Sequence, residues 1–242
     1  MQAFRAINFD SMQTEYVFNT SVGNKILNSI KACIFDLDGV IVDTAHYHFL
    51  AWKRLAEELG FVLTLHDNER LKGVSRMKSL DIVLELGGVA ASNREREILA
   101  NKKNTWFNDY VERMVPEEIF PGVKELLGNL KKSGVKVGLA SSSKNARTVI
   151  QLLRIQDQFD AIVDGTMITH SKPDPEIFLL TAQKLDVSPD MCVVFEDAEA
   201  GVEAALAAGM KCVGVGKEEQ LRRADKIVAQ TADFKITDLD KL

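Results

Sequence analysis

The sequence has few cysteines, and their arrangement excludes two kinds of site. Only three occur in 242 residues, at Cys33, Cys192 and Cys212, and each lies inside an apolar run. The count is odd and no pair has the spacing of metal ligands, so neither a disulfide framework nor a zinc centre is indicated. We therefore expect buried, reduced thiols in a reducing compartment, which favours the cytoplasm.

Long apolar runs are missing as well. The chain has no stretch of about 18 apolar residues, the length that a transmembrane helix needs, so we expect no membrane partner. Residues 1–30 form an N-terminal extension whose pattern assigns it no role. Arg5, Asp10 and Glu15 interrupt it, which is not typical of a signal peptide.

An excess of positive charge is also absent. The chain has 30 Lys and Arg against 35 Asp and Glu, and its net charge is −5. This balance argues against an electrostatic grip on nucleic acid. The 46% of hydrophobic and 27% of charged residues are typical of a folded globular protein. An anionic substrate would therefore need local binding groups.

What the sequence does contain is an alternation of apolar runs and helical patterns, without internal repeats or low-complexity tracts. Short apolar runs predict buried strands at residues 32–35, 135–140, 161–163, 191–195 and 212–215. Helices are predicted between them at 123–130, 146–153 and 200–208, and Asp174-Pro175 is predicted to open another as N-cap and first-turn residue. Such alternation predicts an α/β fold with a doubly wound parallel sheet.

One stretch interrupts this alternation. Residues 44–59 form a predicted helix closed by Gly60, and residues 65–115 show helical spacing only. We interpret residues 46–116 as an all-helical cap inserted into an α/β core made of residues 31–45 and 117–242. In an open parallel sheet the ligand lies beyond the carboxyl ends of the strands, so site residues should directly follow strands.

The first candidates are Asp36 and Asp38, which follow the first predicted strand in Asp36-Leu37-Asp38-Gly39. Residues two apart in an extended chain point the same way and lie roughly 6–7 Å apart. Two such carboxyls could act as nucleophile and general acid/base on a transferring group. The alternative is a turn with an N-cap, since aspartate favours such positions.

Glu196 and Asp197 follow a later predicted strand in the same way. Together with Asp36 and Asp38 they would place four carboxylates at one sheet edge, where they would repel one another. A divalent cation such as Mg²⁺ would offset this repulsion. The alternative for this second pair is an N-cap of the helix that begins near residue 200.

Groups that suit phosphate oxygens occur at two further positions. One stretch combines hydroxyls, a helix start and a positive charge in Ser141, Ser143, Lys144 and Asn145. Lys172, between a strand and a proline-initiated helix, is placed to offset negative charge. The alternatives are an ordinary serine N-cap and a solvated loop lysine.

The helical stretch supplies other candidates. Arg76 follows a glycine turn at Gly73, and its forked guanidinium suits a second phosphate that does not react, although most surface arginines have no such role. Thr44, His48 and Trp52 are spaced four residues apart and share one helix face. On pattern alone Trp52 is more typical of a core residue than of a sugar platform, and His48 is ambiguous.

Four motifs in this order resemble the haloacid dehalogenase superfamily: D-L-D-G-V at Asp36, a serine at a strand end, S-K-P-x-P, and E-D-A-x-x-G. The match spans about residues 31–216. Residues 44–52, 71–76 and 140–145 are similar more narrowly to the β-phosphoglucomutase family. The resemblance implies a Rossmann-type core with a helical cap, a Mg²⁺ cofactor and a sugar-phosphate substrate, and we expect a cytoplasmic monomer.

The resemblance also implies a role for the acidic residues. Asp36 would form an aspartyl phosphate, and Asp38 would act as the general acid/base. The Mg²⁺ ion would bind the Asp36 carboxylate, the Asp38 backbone carbonyl and Asp197. Glu196 would lie near the water shell of the ion.

The substrate contacts that the resemblance implies involve both the core and the cap. The transferring phosphoryl group would bind Ser141 and Lys172. The other phosphate would bind Arg76, Ser143, Lys144 and Asn145. As the cap closes, Asp38 would be positioned by Thr44, His48 and Lys103. The sugar would lie against Trp52, Lys72, Gly73 and Val74.

Three functions are compatible with these residues. The first is a phosphomutase that interconverts β-D-glucose 1-phosphate and glucose 6-phosphate through a phosphoaspartate and a 1,6-bisphosphate. The second is a magnesium-dependent sugar-phosphate phosphatase, which needs one phosphate site instead of two. The third, a non-enzymatic sugar-phosphate sensor, is disfavoured because a binding module needs no acid/base pair. Ser142 and Ala198 stand where the mutase pattern has Ala and Ser, and both changes are small.

Overall fold

The computed structural model describes residues 30–71 and 74–242, so residues 1–29 of the N-terminal extension lie outside the described residues. The strands in these ranges are β1 (Ala32–Phe35), β2 (Lys136–Ser141), β3 (Ala161–Asp164), β4 (Cys192–Glu196), β5 (Lys211–Val215) and β6 (Lys226–Val228). The α-helices are α1 (Ala45–Glu58), α2 (Leu65–Asn68), α3 (Arg76–Gly87), α4 (Asn93–Val111), α5 (Val123–Lys132), α6 (Ala146–Leu152), α7 (Glu176–Leu185), α8 (Glu199–Ala207) and α9 (Glu218–Leu221).

The strands form one parallel sheet in the order β3-β2-β1-β4-β5-β6. Strand β1 pairs with β2 on one side and with β4 on the other, so Phe35 is in register with Leu139 and Phe195. The chain builds outward from β1 in one direction and then in the other. This reversal creates a crevice at the carboxyl ends of β1 and β4. The prediction of a doubly wound α/β fold is confirmed.

The two faces of the sheet contact different apolar clusters, because successive strand residues point to opposite sides. In β1, Cys33 and Phe35 belong to the larger cluster, whereas Ala32 and Ile34 belong to the cluster that includes α7 and α8. Phe35 stacks on Phe195 of β4, with ring centroids 4.4 Å apart. This contact fixes the ends of the two strands relative to each other.

Helices α1 to α4, which we call the helical layer, follow β1 in the chain, and no strand interrupts their described residues. Helix α1 packs mainly against α4, and Leu55 and Phe107 are fully buried. The layer begins at Ala45, within a residue of the predicted start. The division of the chain into a core and a cap at residues 46–116 stays a prediction.

The two segments that connect the helical layer to the sheet run side by side. Val42 on the outgoing segment forms a bridge with Ile119 on the returning one. Beside it, Phe120 N donates a hydrogen bond to Ile41 O at 3.0 Å. The outgoing segment starts directly after the turn that carries Asp38, so the paired connection lies next to that residue in the chain.

Two details of the secondary structure differ from the sequence prediction. Helix α7 begins at Glu176, so Pro175 occupies the N-cap position and Asp174 precedes it. The Asp174 carboxylate still stabilises the helix start, because Glu176 N donates to its Oδ1 at 2.9 Å. Strand β6 escapes prediction because its apolar run, Ile227 and Val228, is too short to be distinguished from a loop.

The three cysteines are all buried and free, which confirms the prediction of buried thiols. Burial, with a smaller contribution from Asp190, raises the pKa of Cys192 to about 11. This thiol is therefore protonated at neutral pH. Among the helices that the structure describes, none is long and apolar enough to span a membrane.

Helix α7 packs closely on the sheet at Gly138 in β2. A Cβ atom at Gly138 would lie 2.7 Å from Thr181 Cγ2 and 3.0 Å from Leu185 Cδ1. The substitution Gly138→Ala should therefore force α7 away from β2. We expect the free energy of unfolding, measured by denaturant titration, to fall by about 1–3 kcal/mol.

The matched control is Gly128→Ala. Gly128 lies inside α5, and a Cβ atom there would meet nothing within 4 Å. Because alanine loses less conformational entropy than glycine in a helix, this variant should gain roughly 0.5–1 kcal/mol. Equal changes in the two variants would contradict the packing argument.

Candidate active site

A cavity lies between the carboxyl end of the sheet and the helical layer. Most of the predicted site residues line it: Asp36, Asp38, His48, Trp52, Val74, Arg76, Lys103, Ser143, Lys144, Asn145 and Asp197. Four other predicted residues are buried and do not line it: Thr44, Ser141, Lys172 and Glu196. The remaining two, Lys72 and Gly73, lie outside the described residues.

Asp36 lies at the tip of β1 and is only 5% exposed. Its Oδ2 atom accepts a hydrogen bond from Asp38 N at 2.9 Å, and its Oδ1 atom contacts Lys172 Nζ at 2.5 Å. Its backbone N–H donates to Phe195 O of β4 at 3.0 Å. The carboxylate is thus held in one orientation at the wall of the cavity.

Lys172 is fully buried and contacts two carboxylates, those of Asp36 and Glu196. Burial lowers the pKa of Lys172, but the two carboxylates together raise it by more, so the pKa is above its usual value and the ammonium stays charged. Glu196 also accepts a hydrogen bond from Ala198 N at 3.1 Å. Both oxygens of Glu196 are therefore bonded to groups of the protein.

Asp38 lies at the cavity wall in a strongly desolvated position. Burial first, and repulsion from Asp36 second, raise the pKa of Asp38 to about 8. The carboxyl is therefore mostly protonated at neutral pH and can donate a proton. Within the described residues, Asp38 Oδ1 and Thr44 Oγ1 are buried without a hydrogen-bond partner. Such orphaned atoms indicate a site that a polar ligand completes.

Lys103 and His48 form a polar pair inside the helical layer, with Lys103 Nζ 2.6 Å from His48 Nδ1. Burial, with the positive charges of Lys103 and Arg76, lowers the pKa of His48 well below its usual value. The imidazole is therefore neutral. Burial and Arg76 also lower the pKa of Lys103, while Asp38 opposes this shift. The ammonium lies 4.6 Å from the centre of the Trp52 ring.

The loop after β2 is held by two short side-chain-to-backbone turns. Ser143 N donates to Ser141 Oγ at 3.2 Å, and Asn145 N donates to Ser143 Oγ at 3.2 Å. Asn145 takes the N-cap position of α6 without a side-chain cap, so no serine caps this helix. The loop brings Ser143, Lys144 and Asn145 to the cavity, while Ser141 is buried beneath them.

Arg76 and Lys144 bring two positive charges to a second region of the cavity. Both residues also border a neighbouring groove that neither Asp36 nor Asp38 borders. Burial lowers the pKa of Arg76 from its usual high value, and an arginine remains charged at any physiological pH. The two cations therefore give this part of the cavity a positive charge that suits an anionic group.

A hydrogen bond joins the loop after β2 to the helical layer at this region. Asn145 Nδ2 donates to Asn104 Oδ1 on α4 at 2.7 Å. Asn104 follows Lys103 in the chain, so α4 contributes to the site through both residues. The position of this anion-binding region thus depends on how α4 lies over the sheet.

The carboxylates at the sheet edge fit a divalent cation. Asp197 approaches the turn after β1 so closely that a Cβ atom at Gly39 would lie 2.0 Å from Asp197 Oδ2, and Gly39 has a φ of +81°. The glycine thus lets the Asp197 carboxylate reach the turn that carries Asp36 and Asp38. Carboxylate and carbonyl oxygens are the ligands of hard divalent cations. The unpaired Asp38 Oδ1 is consistent with a cluster that a cation completes.

Sequence reasoning missed several polar residues of the cavity. Asn68 and Ser79 of the helical layer line it and are 7% and 3% exposed, and Ser142 of the loop after β2 lines it as well. Nothing in the sequence distinguishes Asn68 from the polar residues around it. Asn104 could have been proposed from the sequence, because it directly follows the candidate Lys103.

Comparison with known proteins agrees with this geometry. The model of the haloacid dehalogenase-like hydrolases matches residues 30–209. A β-phosphoglucomutase of Bacillus subtilis is 48% identical over 207 residues, 85% of this chain and 92% of that protein. A phosphorylated carbohydrates phosphatase of Thermotoga maritima is 36% identical over 186 residues, 75% of this chain and 83% of that protein. A solved β-phosphoglucomutase from Clostridium difficile is 42% identical with a TM-score of 0.85, covering 88% of this chain and 96% of that one.

The region that the family model matches contains every strand end with a candidate residue, from Asp36 to Asp197. The mutase and the phosphatase each match over most of their own length, so the likeness is not confined to one part of the fold. The resemblance of the four motifs is thereby confirmed, and this chain belongs to the haloacid dehalogenase-like hydrolase family.

Proposed function

We propose that this chain is a phosphomutase that interconverts β-D-glucose 1-phosphate and glucose 6-phosphate. The observation that carries the proposal is one cavity lined both by an aspartate pair and by the cations Arg76 and Lys144, which alone among these four also border the neighbouring groove. A mutase needs two anion sites because its bisphosphate intermediate has a phosphate at each end. The likeness to β-phosphoglucomutases from B. subtilis and C. difficile supports the same reaction.

Asp36 is proposed as the nucleophile. One of its carboxylate oxygens attacks phosphorus, the bond from phosphorus to the sugar oxygen breaks, and an aspartyl phosphate forms. Lys172 stays protonated and contacts Asp36, so it offsets the charge of the phosphoryl oxygens. Ser141 and the N–H groups of the loop after β2 are proposed to hold the same phosphoryl group.

Asp38 is proposed as the general acid/base. Its raised pKa keeps a proton available for the sugar oxygen that leaves phosphorus. In the other half-reaction the ionised carboxylate takes the proton of the sugar hydroxyl that attacks the aspartyl phosphate, which restores the starting state. Thr44, His48 and Lys103 are proposed to position Asp38 as the helical layer closes.

The divalent cation is proposed to be Mg²⁺, held by the Asp36 carboxylate, the Asp38 carbonyl and Asp197. When bound, this ion neutralises charge on the phosphoryl oxygens and aligns them with the nucleophile. Glu196 bonds to Lys172 and Ala198 N through its two oxygens. We therefore propose that Glu196 holds Lys172 behind the metal site and lies near the water shell of the ion.

The phosphate that does not react is proposed to bind in the region of Arg76 and Lys144, with Ser143 and Asn145. The sugar would lie between the two phosphate regions, against Trp52 and Val74. Two further sugar contacts rest on the family resemblance alone: Lys72 and Gly73. Closure of the helical layer would exclude water, so that the aspartyl phosphate survives until a sugar phosphate binds. We further propose that the enzyme acts as a cytoplasmic monomer.

A phosphatase is the second candidate, and the likeness to the T. maritima carbohydrate phosphatase favours it. Asp36, Asp38 and Asp197 would keep the roles given above, and water would attack the aspartyl phosphate in place of a sugar hydroxyl. The two functions therefore differ in the acceptor alone. The phosphate region of Arg76 and Lys144 is what a simple phosphatase does not require.

The proposed function is tested by an assay that couples glucose 6-phosphate formation to its dehydrogenase. With Mg²⁺ and a trace of β-glucose 1,6-bisphosphate, the β-anomer of glucose 1-phosphate should be converted and the α-anomer should not. Omission of the bisphosphate should produce a lag. Release of inorganic phosphate without glucose 6-phosphate would favour the phosphatase instead.

The variant Asp36→Asn tests the nucleophile. The amide keeps the shape of the side chain but does not attack phosphorus, so turnover should fall at least about 1,000-fold. The control is Asp109→Asn, the same change at an exposed position of α4, which should keep the wild-type rate. A normal rate for Asp36→Asn, with the fold intact by circular dichroism, would overturn the assignment.

The variant Arg76→Ala separates the mutase from the phosphatase. Loss of the charged bonds to the second phosphate should lower kcat/KM for the sugar phosphate roughly 10- to 100-fold. Hydrolysis of acetyl phosphate, which has no second phosphate, should change little. The control is Arg70→Ala, whose exposed guanidinium pairs with Glu85 at 3.1 Å. If sugar-phosphate turnover survives in Arg76→Ala, the argument from two phosphate regions fails.

A further inference from the structure

Asn68 is a buried polar residue of the cavity to which the reaction assigns no role. It is the last residue of α2, it is 7% exposed, and it lines the cavity together with Trp52 and Leu71. Its backbone N–H donates to Thr64 O at 3.2 Å. Its side-chain amide has no hydrogen-bond partner among the residues that the structure describes.

The amide of Asn68 is not fully enclosed, since the fully buried side-chain atoms without a partner in the described ranges are Asp38 Oδ1, Thr44 Oγ1 and Arg96 Nε. The carboxamide of asparagine offers two N–H donors and one carbonyl acceptor to a ligand in the cavity. Ser79, the other buried polar residue nearby, has a partner, because its hydroxyl donates to Leu71 O at 3.4 Å. Asn68 therefore offers uncommitted hydrogen-bonding groups to a ligand in the cavity.

The backbone that carries Asn68 is held in place before any ligand binds. Helix α2 starts with a capping box, in which Thr64 N donates to Asp67 Oδ2 at 2.9 Å and Asp67 N donates to Thr64 Oγ1 at 3.2 Å. These bonds fix the short helix that ends at Asn68. A side chain on a fixed backbone loses only its own rotamer freedom when it binds a ligand.

The chemistry of the amide suits a sugar hydroxyl better than a phosphate. Charged groups already serve the anions: Arg76 and Lys144 at one region and Lys172 beside Asp36 at the other. A neutral group that both donates and accepts matches a hydroxyl, which does the same. A site built to bond a hydroxyl rejects the analogue that lacks it, because its own polar atoms are then left unpaired.

We propose that Asn68 binds a ring hydroxyl of the sugar between the two phosphates and thereby contributes to the choice of hexose. This inference rests on the proposed function, since it assigns the amide to the middle of the same sugar phosphate. It makes Asn68 a specificity residue, whereas the phosphate contacts would accept a sugar phosphate regardless of its ring hydroxyls.

The test is a thermodynamic cycle that combines one change in the protein with one change in the substrate. We would measure kcat/KM for β-D-glucose 1-phosphate and for its 2-deoxy, 3-deoxy and 4-deoxy analogues in the wild type and in Asn68→Leu. Leucine has a similar shape without hydrogen-bonding groups. The variant should lose about tenfold on the parent sugar, and one of the three analogues should show no further loss in the variant.

Two further variants support the comparison. Asn68→Ala removes the same amide by deleting atoms that face the cavity, so it gives the answer if the leucine variant does not fold. The control is His66→Ala, an exposed side chain on the same helix, which should leave the wild-type preferences among the four substrates unchanged. Circular dichroism and thermal melting would establish that each variant is folded.

The inference would be overturned by an equal fractional loss of activity on all four substrates. If Asn68 only supports the fold, its variants lose activity on all four substrates in proportion, and the penalty for each missing hydroxyl stays at its wild-type value. The products of the wild-type enzyme are measured first, because hydrolysis of the sugar phosphate by the wild type would contradict the mutase proposal. The same cycle then applies to hydrolysis and decides the role of Asn68 by the same criterion.

Discussion

The candidate site depends on one buried contact, in which the ammonium of Lys172 bonds to the carboxylates of Asp36 and Glu196. Lys172 precedes α7, Asp36 follows β1 and Glu196 ends β4, so the contact joins three distant parts of the chain. Loss of one partner from such a buried cluster leaves an uncompensated charge, at a cost of roughly 3–5 kcal/mol. The orientation of the reacting carboxylate and the meeting of β1 with β4 therefore depend on the same interaction.

The sequence predicts the framework well because the framework follows from short-range patterns. The apolar run before Asp36 fixes a strand, and the alternation of strands and helices fixes a parallel sheet. The carboxyl ends of parallel strands meet at one edge. Sequence reasoning therefore predicts that Asp36 and Asp197 meet at one site, and both line the cavity. The two residues are brought together by topology, which local patterns reveal.

What the sequence does not predict depends on contacts between residues far apart in the chain. Lys172 could equally have been a solvated lysine, and its contact with Asp36 spans 136 positions. The raised pKa of Asp38 results from burial beneath the helical layer, which no local pattern shows. Asn68 lies among other polar residues, and only its buried position in the cavity separates it from them. Burial of this kind is decided when helices pack together.

The paired connection between the sheet and the helical layer has a mechanical consequence. Two segments bonded side by side, through Val42 with Ile119 and Ile41 with Phe120, resist sliding past each other. The helical layer therefore enters and leaves the sheet through a single two-stranded connection, which keeps both of its ends in a constant register beside Asp38.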